Sequence, residues 1–302
     1  MATEREIYPC VIHSHSTTWH DGAIAMLLPN GEIYSLAAER VGDRRKHSWN
    51  SRLAYDYLKE RFPRHRGCFG SKTDFFVNPG EDNLSTARHH FNHAAATFYG
   101  SSYKNAAVLI ADGQGPEDGD WVATSLWNAK GNELELLEIP HRTKGLFLPQ
   151  SVGHFYTAVS ALAGMKHLHE EGKTMGLAAY GKPSRFLECF RQYIHSNEDG
   201  SYYINPLFIY AVLGNTFGPR FFGWGAQPSH IQRVWEYVIS LRSNPIREAD
   251  GDFTQDDMDI AYAGQCILGE LMLGLVRRIK EKTGKNNLCL AGGVALNCSA
   301  NR

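Results

Sequence analysis

Two histidines, His89 and His93, stand four residues apart in the run Arg88-His89-His90-Phe91-Asn92-His93-Ala94-Ala95-Ala96. The run reads as a helix, where residues i and i+4 project from one face one turn apart. Two imidazole nitrogens placed this way suit a single metal ion. They leave a first-row divalent metal under-coordinated, so a carboxylate from elsewhere is the expected third ligand, with positions open for substrate. No Glu follows the first His, which excludes the zinc-protease pattern. Taken in isolation, the pair reads equally well as two surface histidines.

Three glycine-bearing segments could handle phosphate. Asp112-Gly113-Gln114-Gly115 sets a carboxylate beside flexible backbone at a strand end, to orient metal or phosphate or simply to turn the chain. The stretch 288–297 is a buried strand running into Gly292-Gly293 at a helix start, where backbone N–H groups and the helix dipole favour anions. Gly172-Lys173-Thr174 has the ending of a P-loop, but Gly164 lies eight residues before Gly172 where five are needed, so a true P-loop is rejected. Lys173 remains a candidate phosphate cation or a solvated lysine. In Trp19-His20-Asp21-Gly22, His20 is a candidate acid/base or substrate-orienting group beside Asp21, which could equally stabilise a turn.

The elements that must position these residues form an internal repeat. Strand 9–13, polar loop 14–21, strand 23–28, turn 29–31 and strand 33–38 share their layout with strand 106–111, loop 112–120, strand 121–127, turn 130–132 and strand 134–139. Helical stretches at 50–62 and 85–99 flank a short strand at 74–78, giving a βββαβα lobe. A duplicated lobe of this kind resembles the α/β actin-like ATPase and sugar-kinase superfold, whose two polar loops face each other across a cleft. Apolar spacing predicts helices over 149–164 and 255–283, the latter stopped by Gly284, then a buried strand over 287–291 and a new helix. Residues 188–251 read as an insertion of helices and loops. The expected division is a first lobe at 1–103 and a second at 104–302, incomplete because the sequence stops at Arg302 within an element.

Composition narrows the class. With 302 residues, 43% apolar, and no unbroken apolar run of about 18 residues, the chain is expected to be a soluble protein large enough for two cores, with no membrane partner. The N-terminus lacks a secretory pattern, and the six cysteines show no CxxC spacing, so reduced thiols in the cytoplasm are expected. A formal net charge of −1 and the lack of a long basic run give no footprint for nucleic acid.

In order along the chain, these segments resemble the NodU/CmcH family of ATP-dependent O-carbamoyltransferases. The matching residues are His20-Asp21, Glu39-Arg40 with Lys46-His47, His89-His90-x-x-His93-Ala94-Ala95, Asp112-Gly113, Thr124-Ser125-Leu126-Trp127 and Pro149-x-Ser151-x-Gly153-x-x-Tyr156. The run 171–181, Asp259-Ile260-Ala261 with Gln265, and 292–297 complete the set. The resemblance implies a Kae1-like fold of the actin-like (ASKHA) class. It also implies two reaction steps: a YrdC-like domain makes carbamoyladenylate from carbamoyl phosphate and ATP, and the Kae1-like part passes the carbamoyl group to an acceptor hydroxyl. It assigns His89 and His93 to Fe2+ or a similar divalent metal, His20 with Asp21 to the carbamoyl group, and Asp112, Gly113, Lys173, Gly176, Gly292, Gly293 and Asn297 to the nucleotide-facing region, with Mg2+ as a further candidate ion. The family's carboxylate ligand is an Asp downstream of the 292–297 match, so the resemblance expects a metal site lacking its carboxylate here. It likewise expects a complementary C-terminal polypeptide bearing the YrdC-like domain.

The acceptor is left open among a sugar, a natural-product scaffold and a modified nucleoside. The alternatives are a non-catalytic nucleotide-binding fragment or subunit of a split carbamoyltransferase, and a sugar kinase or hydrolytic ATPase of the same superfold. The last shares the lobes but not the paired histidines.

Overall fold

The computed structural model describes strands at 11–14, 23–27 and 33–37, short pieces at 40–41, 56–57 and 60–61, and residues 88–302 except 146, 167–169, 219–221, 223–225 and 249–250. His20, Asp21, Glu39, Lys46, His47 and the expected strand at 74–78 lie outside the described residues. Chain contacts separate two units, 1–83 and 84–302. In the first unit, strands β1 (Val11–Ser14), β2 (Ala23–Leu27) and β3 (Ile33–Ala37) form an antiparallel meander in the order β1-β2-β3.

The second unit is a mixed α/β structure. Helix α1 (His89–Tyr99) leads into β4 (Asn105–Glu117), β5 (Asp120–Lys130), β6 (Glu133–Glu138) and the short β7 (Arg142–Thr143). β4, β5 and β6 form a second antiparallel meander, so the repeated strand triple read from the sequence is present in both units. The expected loop over 112–120 is instead mostly strand. β4 continues through a bulge between Ala111 and Gly115, and turns only at Asp118-Gly119, both with positive φ (48° and 86°). An Asp-Gly pair between strands is the sequence signal for such a two-residue hairpin.

Helices α2 (Val152–Leu162), α3 (Glu171–Leu177) and α4 (Arg185–Tyr193) follow, then hairpin β8 (Ile194–Ser196) and β9 (Tyr202–Ile204). Helices α5 (Pro206–Thr216), α6 (Ser229–Ser240) and α7 (Gln255–Thr283) lead to β10 (Leu288–Ala291), which pairs parallel with β4. A 3₁₀ turn over Gly293–Leu296 stands where the sequence suggested a new helix.

The central strand explains the layering. Ala106, Val108 and Ile110 of β4 pack with Ala94 and Phe98 of α1 and with Trp127, while Ala107, Leu109 and Ala111 point into the larger core on the other face. A strand buried on both faces needs an unbroken apolar run, and period-2 alternation assigns each residue its side. The larger core gathers α2 and α7 together with Phe190, Phe208, Ile209, Val212 and Val238. The stretch 188–251 is therefore part of the core, although its sequence period is weak. Within it α5 is apolar on nearly every side, which erases a single-face pattern there, whereas α4 and α6 keep one apolar face each.

α7 matches its expected span. Thr254 and Asp257 form a capping box at its start, and Gly284, in the left-handed conformation, ends it. By length and composition α7 could cross a membrane; in the structure most of it is buried inside the second unit. The segment before it is fastened by Arg242. This guanidinium donates to Leu162 O, Asn244 O, Pro245 O and, at 2.6 Å, Asp257 Oδ1, with side-chain exposures of 2% for Arg242 and 0% for Asp257.

Candidate metal centre

The face of α1 toward the sheet carries His90, Ala94 and Phe98, all buried. His89 and His93 lie on the adjoining face, about a third exposed, and both reach the same carboxylate of β4. His89 Nε2 is 2.8 Å from Asp112 Oδ2, His93 Nε2 is 3.4 Å from that oxygen, and the two Nε2 atoms are 3.2 Å apart. The three form a group able to hold a metal ion. Bonds of roughly 2.1 Å to a shared ion place neighbouring ligand atoms about 3.0 Å apart at octahedral angles and about 3.4 Å apart at tetrahedral ones. The observed triangle falls close to this range. Two His and one carboxylate are a donor set suited to Fe2+ among other divalent metals.

The resemblance placed the carboxylate beyond Arg302; the structure provides one within the chain, in a residue the sequence pattern assigned to nucleotide. Alternation carries the signal that locates it. Ala106, Val108 and Ile110 face α1, and the next residue in phase is Asp112.

The surroundings of Asp112 divide its two oxygens. Oδ1 accepts from Gly113 N at 2.8 Å and Gly293 N at 2.9 Å, which leaves Oδ2 to the histidines. Burial pushes the carboxyl up, but hydrogen bonds from His89 and His93 outweigh burial and hold Asp112 well below the usual carboxylate range. Gly292 permits the turn that delivers Gly293 N: its φ is +94°, and a Cβ there would lie 2.3 Å from Ala111 O. At Gly115 a Cβ would lie 2.0 Å from His89 Cδ2, so only glycine lets the imidazole cross the bulge.

The motif around Ser151 secures the same loop from the other side. Ser151 caps α2 by accepting from His154 N, and its hydroxyl donates to Gly113 O and Asp112 O. At Gly153 the helix passes so close that a Cβ would be 2.6 Å from Asp112 O. Tyr156 continues inward, donating to Gln265 Oε1, and the Gln265 and Asn297 side chains pair through both amide groups at 3.0 Å. Asn297 also accepts from Ala300 N, so its carboxamide is engaged within the fold. Lys173, exposed on α3, pairs with Glu170 at 2.6 Å. Gly176 has open space where a Cβ would stand. Of the expected site residues, the structure thus gathers His89, His93, Asp112, Gly113, Gly292 and Gly293. Asn297, Lys173 and Gly176 show no contact with this group among the described residues.

His154, stacked on Phe147 and donating Nδ1–H to Leu148 O at 2.9 Å, yields a stability prediction. Burial pushes this imidazole down from 6.5 to about 4. The unfolded chain therefore takes up the proton first, so the contribution is complete above pH 6.5 and is lost as pH falls toward 4. Its full size is on the order of 3 kcal/mol. Urea unfolding at pH 7 and pH 4.5 should show a steeper loss for the native protein than for His154→Asn; equal losses would remove His154 as the source.

Residues 73–302 match the carbamoyltransferase N-terminus family. The chain belongs to this family. Among curated relatives, an uncharacterised protein of Synechocystis is 35% identical over 213 residues, covering 70% of this chain and 30% of that protein. Nodulation protein NolO of Bradyrhizobium diazoefficiens is 27% identical over 215 residues, covering 70% of this chain and 32% of the relative. Identity is also 27% over 237 residues to nodulation protein NolNO of Sinorhizobium fredii, covering 78% and 29%. The chain thus spans about a third of the length of these relatives. The paired histidines, the Asp112 loop and the Gly292-Gly293 turn all lie inside the region matched to the family.

Proposed function

We propose that this chain is the Kae1-like, actin-fold part of an ATP-dependent O-carbamoyltransferase, with lobes at 1–103 and 104–302, and that His89, His93 and Asp112 hold a divalent metal such as Fe2+. The convergence of His89 Nε2, His93 Nε2 and Asp112 Oδ2 supports this reading most directly. Carbamoyladenylate, made from carbamoyl phosphate and ATP by a YrdC-like domain, is the donor; a hydroxyl-bearing small molecule is the acceptor. When bound, the metal polarises the adenylate phosphate and lowers the charge cost of expelling AMP.

The chain's own groups have distinct tasks. His89 and His93 present Nε2 from one helix face, and Asp112 is held by two backbone N–H groups so that Oδ2 faces them. Gly113, Gly292, Gly293, Lys173, Gly176 and Asn297 belong to the nucleotide side of the proposal, with the N–H groups of Gly113 and Gly293 engaged in holding Asp112 Oδ1. His20, with Asp21, is assigned to receive the acceptor hydroxyl's proton. The non-catalytic nucleotide-binding alternative drew its support from an absent carboxylate, and the place of Asp112 weakens it.

The test is carbamoyl transfer by protein that contains this chain together with a YrdC-like domain, supplied with carbamoyl phosphate, ATP and a panel of hydroxyl acceptors. Activity should disappear on chelation, return with Fe2+, and be lost in His89→Ala. Full transfer by chelated protein would refute the metal assignment. AMP binding without transfer to any acceptor would favour the non-catalytic module.

A further inference from the structure

α1 carries both histidine ligands yet begins without a cap of its own: Arg88, at the N-cap position, makes no side-chain bond to the first turn. The cap comes from β4 instead. Glu117 Oε2 accepts from His90 N at 2.7 Å and Phe91 N at 3.2 Å, and a backbone bridge joins Glu117 to Arg88. A carboxylate on these free N–H groups is favourable, since they carry the positive end of the helix dipole. The arrangement also has a cost. The Glu117 side chain is 1% exposed, and its Oε1 has no hydrogen-bond partner among the described residues, only a long ion pair with Arg88 Nε at 3.9 Å. A Ser or Asp at position 88 would cap the helix without burying a carboxylate. What the distant cap adds is a direct link between α1 and the strand that carries Asp112.

A second grip fixes the helix's rotation. Trp127 Nε1–H donates to Ser125 Oγ at 2.8 Å, Ser125 Oγ–H donates to His90 Nδ1 at 2.8 Å, and His90 Nε2–H donates to Val122 O at 3.0 Å. The directions follow from chemistry, because an indole N–H only donates and a carbonyl only accepts. This chain of bonds absorbs the Ser125 and Trp127 motif, which the proposed reaction leaves without a role. Glu117 sets where α1 sits along the strand, His90 sets which face turns outward, and both anchors lie on the β4–β5 hairpin that also presents Asp112.

We propose that Glu117 is a positioning residue, gripping the first turn of α1 so that His89 and His93 converge on Asp112 of the same strand. The proposal rests on the metal reading above, and Co2+ serves as the probe. Glu117→Ala, checked by circular dichroism for retained helix and a cooperative melt, should bind Co2+ about 10–100-fold more weakly and change its visible spectrum. Glu117→Gln keeps an acceptor for the two N–H groups and should bind within about threefold of the native protein. In metal-free protein with 15N-labelled histidine, the His89 and His93 ring resonances should shift in Glu117→Ala and stay in place in Glu117→Gln. If Glu117→Ala does not fold, Ser125→Ala releases the second grip and should shift the same resonances.

A folded Glu117→Ala with native Co2+ affinity and unshifted resonances would overturn the proposal, as would equal impairment of the Gln variant. Failure of the native protein to bind Co2+ would instead sink the metal reading, and the ring resonances alone would then decide the role of Glu117.

Discussion

An Asp112→Asn protein is expected to fold normally and to lose the metal, with affinity falling by more than about 100-fold and carbamoyl transfer falling with it. The substitution is nearly isosteric and separates the two tasks of this side chain. Gly113 N and Gly293 N both need an acceptor, so the amide oxygen takes the Oδ1 position. The NH2 group is then left facing His89 and His93, where it is a donor and not a metal ligand. Isothermal titration with Co2+ reads the affinity, and urea unfolding reads the fold. Native affinity in Asp112→Asn would rule this carboxylate out as a ligand. A large drop in stability would show that its structural bonds dominate.

Arg242→Ala should destabilise the second unit by about 3–5 kcal/mol, because it leaves Asp257 as an uncompensated buried charge. The arginine also satisfies three carbonyls, those of Leu162, Asn244 and Pro245, which fasten the segment before α7 to the end of α2. Asp257 keeps its bonds to Thr254 in the variant, so some cap function remains. Urea unfolding at pH 7 measures the difference. A loss under about 1 kcal/mol is the range of exposed pairs, and would mean that solvent reaches Asp257 once Arg242 is gone.

The metal centre and the core around α7 differ in how much of each was legible in the sequence. The histidine pair was legible because helical spacing is local: residues four apart share a face whatever packs around them. The span and both ends of α7 were legible for the same reason, since a capping threonine and a terminal glycine act on adjacent backbone. The paired strand triples were also visible, as alternating apolar runs broken by Gly-containing turns.

Residues 188–251 were not legible as core. α5 is apolar on nearly every side and so carries no one-face period, while the apolar faces of α4 and α6 do not say which neighbours they pack on. The resemblance assigned Asn297 to the nucleotide side; its bond to Gln265, 32 residues away, could not be seen in either segment. The role of Asp112 lay between these cases. The phase of β4 points it toward α1, but that phase becomes useful only when α1 is known to cover that face of the sheet.

By itself, then, the sequence determined the strand triples, the span of α7 and the histidine pair on one helix face, each carried by local spacing, and the family, carried by the order of its motifs along the chain. Only the tertiary structure decided which carboxylate meets the histidines, because that pairing depends on a helix docking across β4 and on two distant N–H groups turning Asp112 to face it.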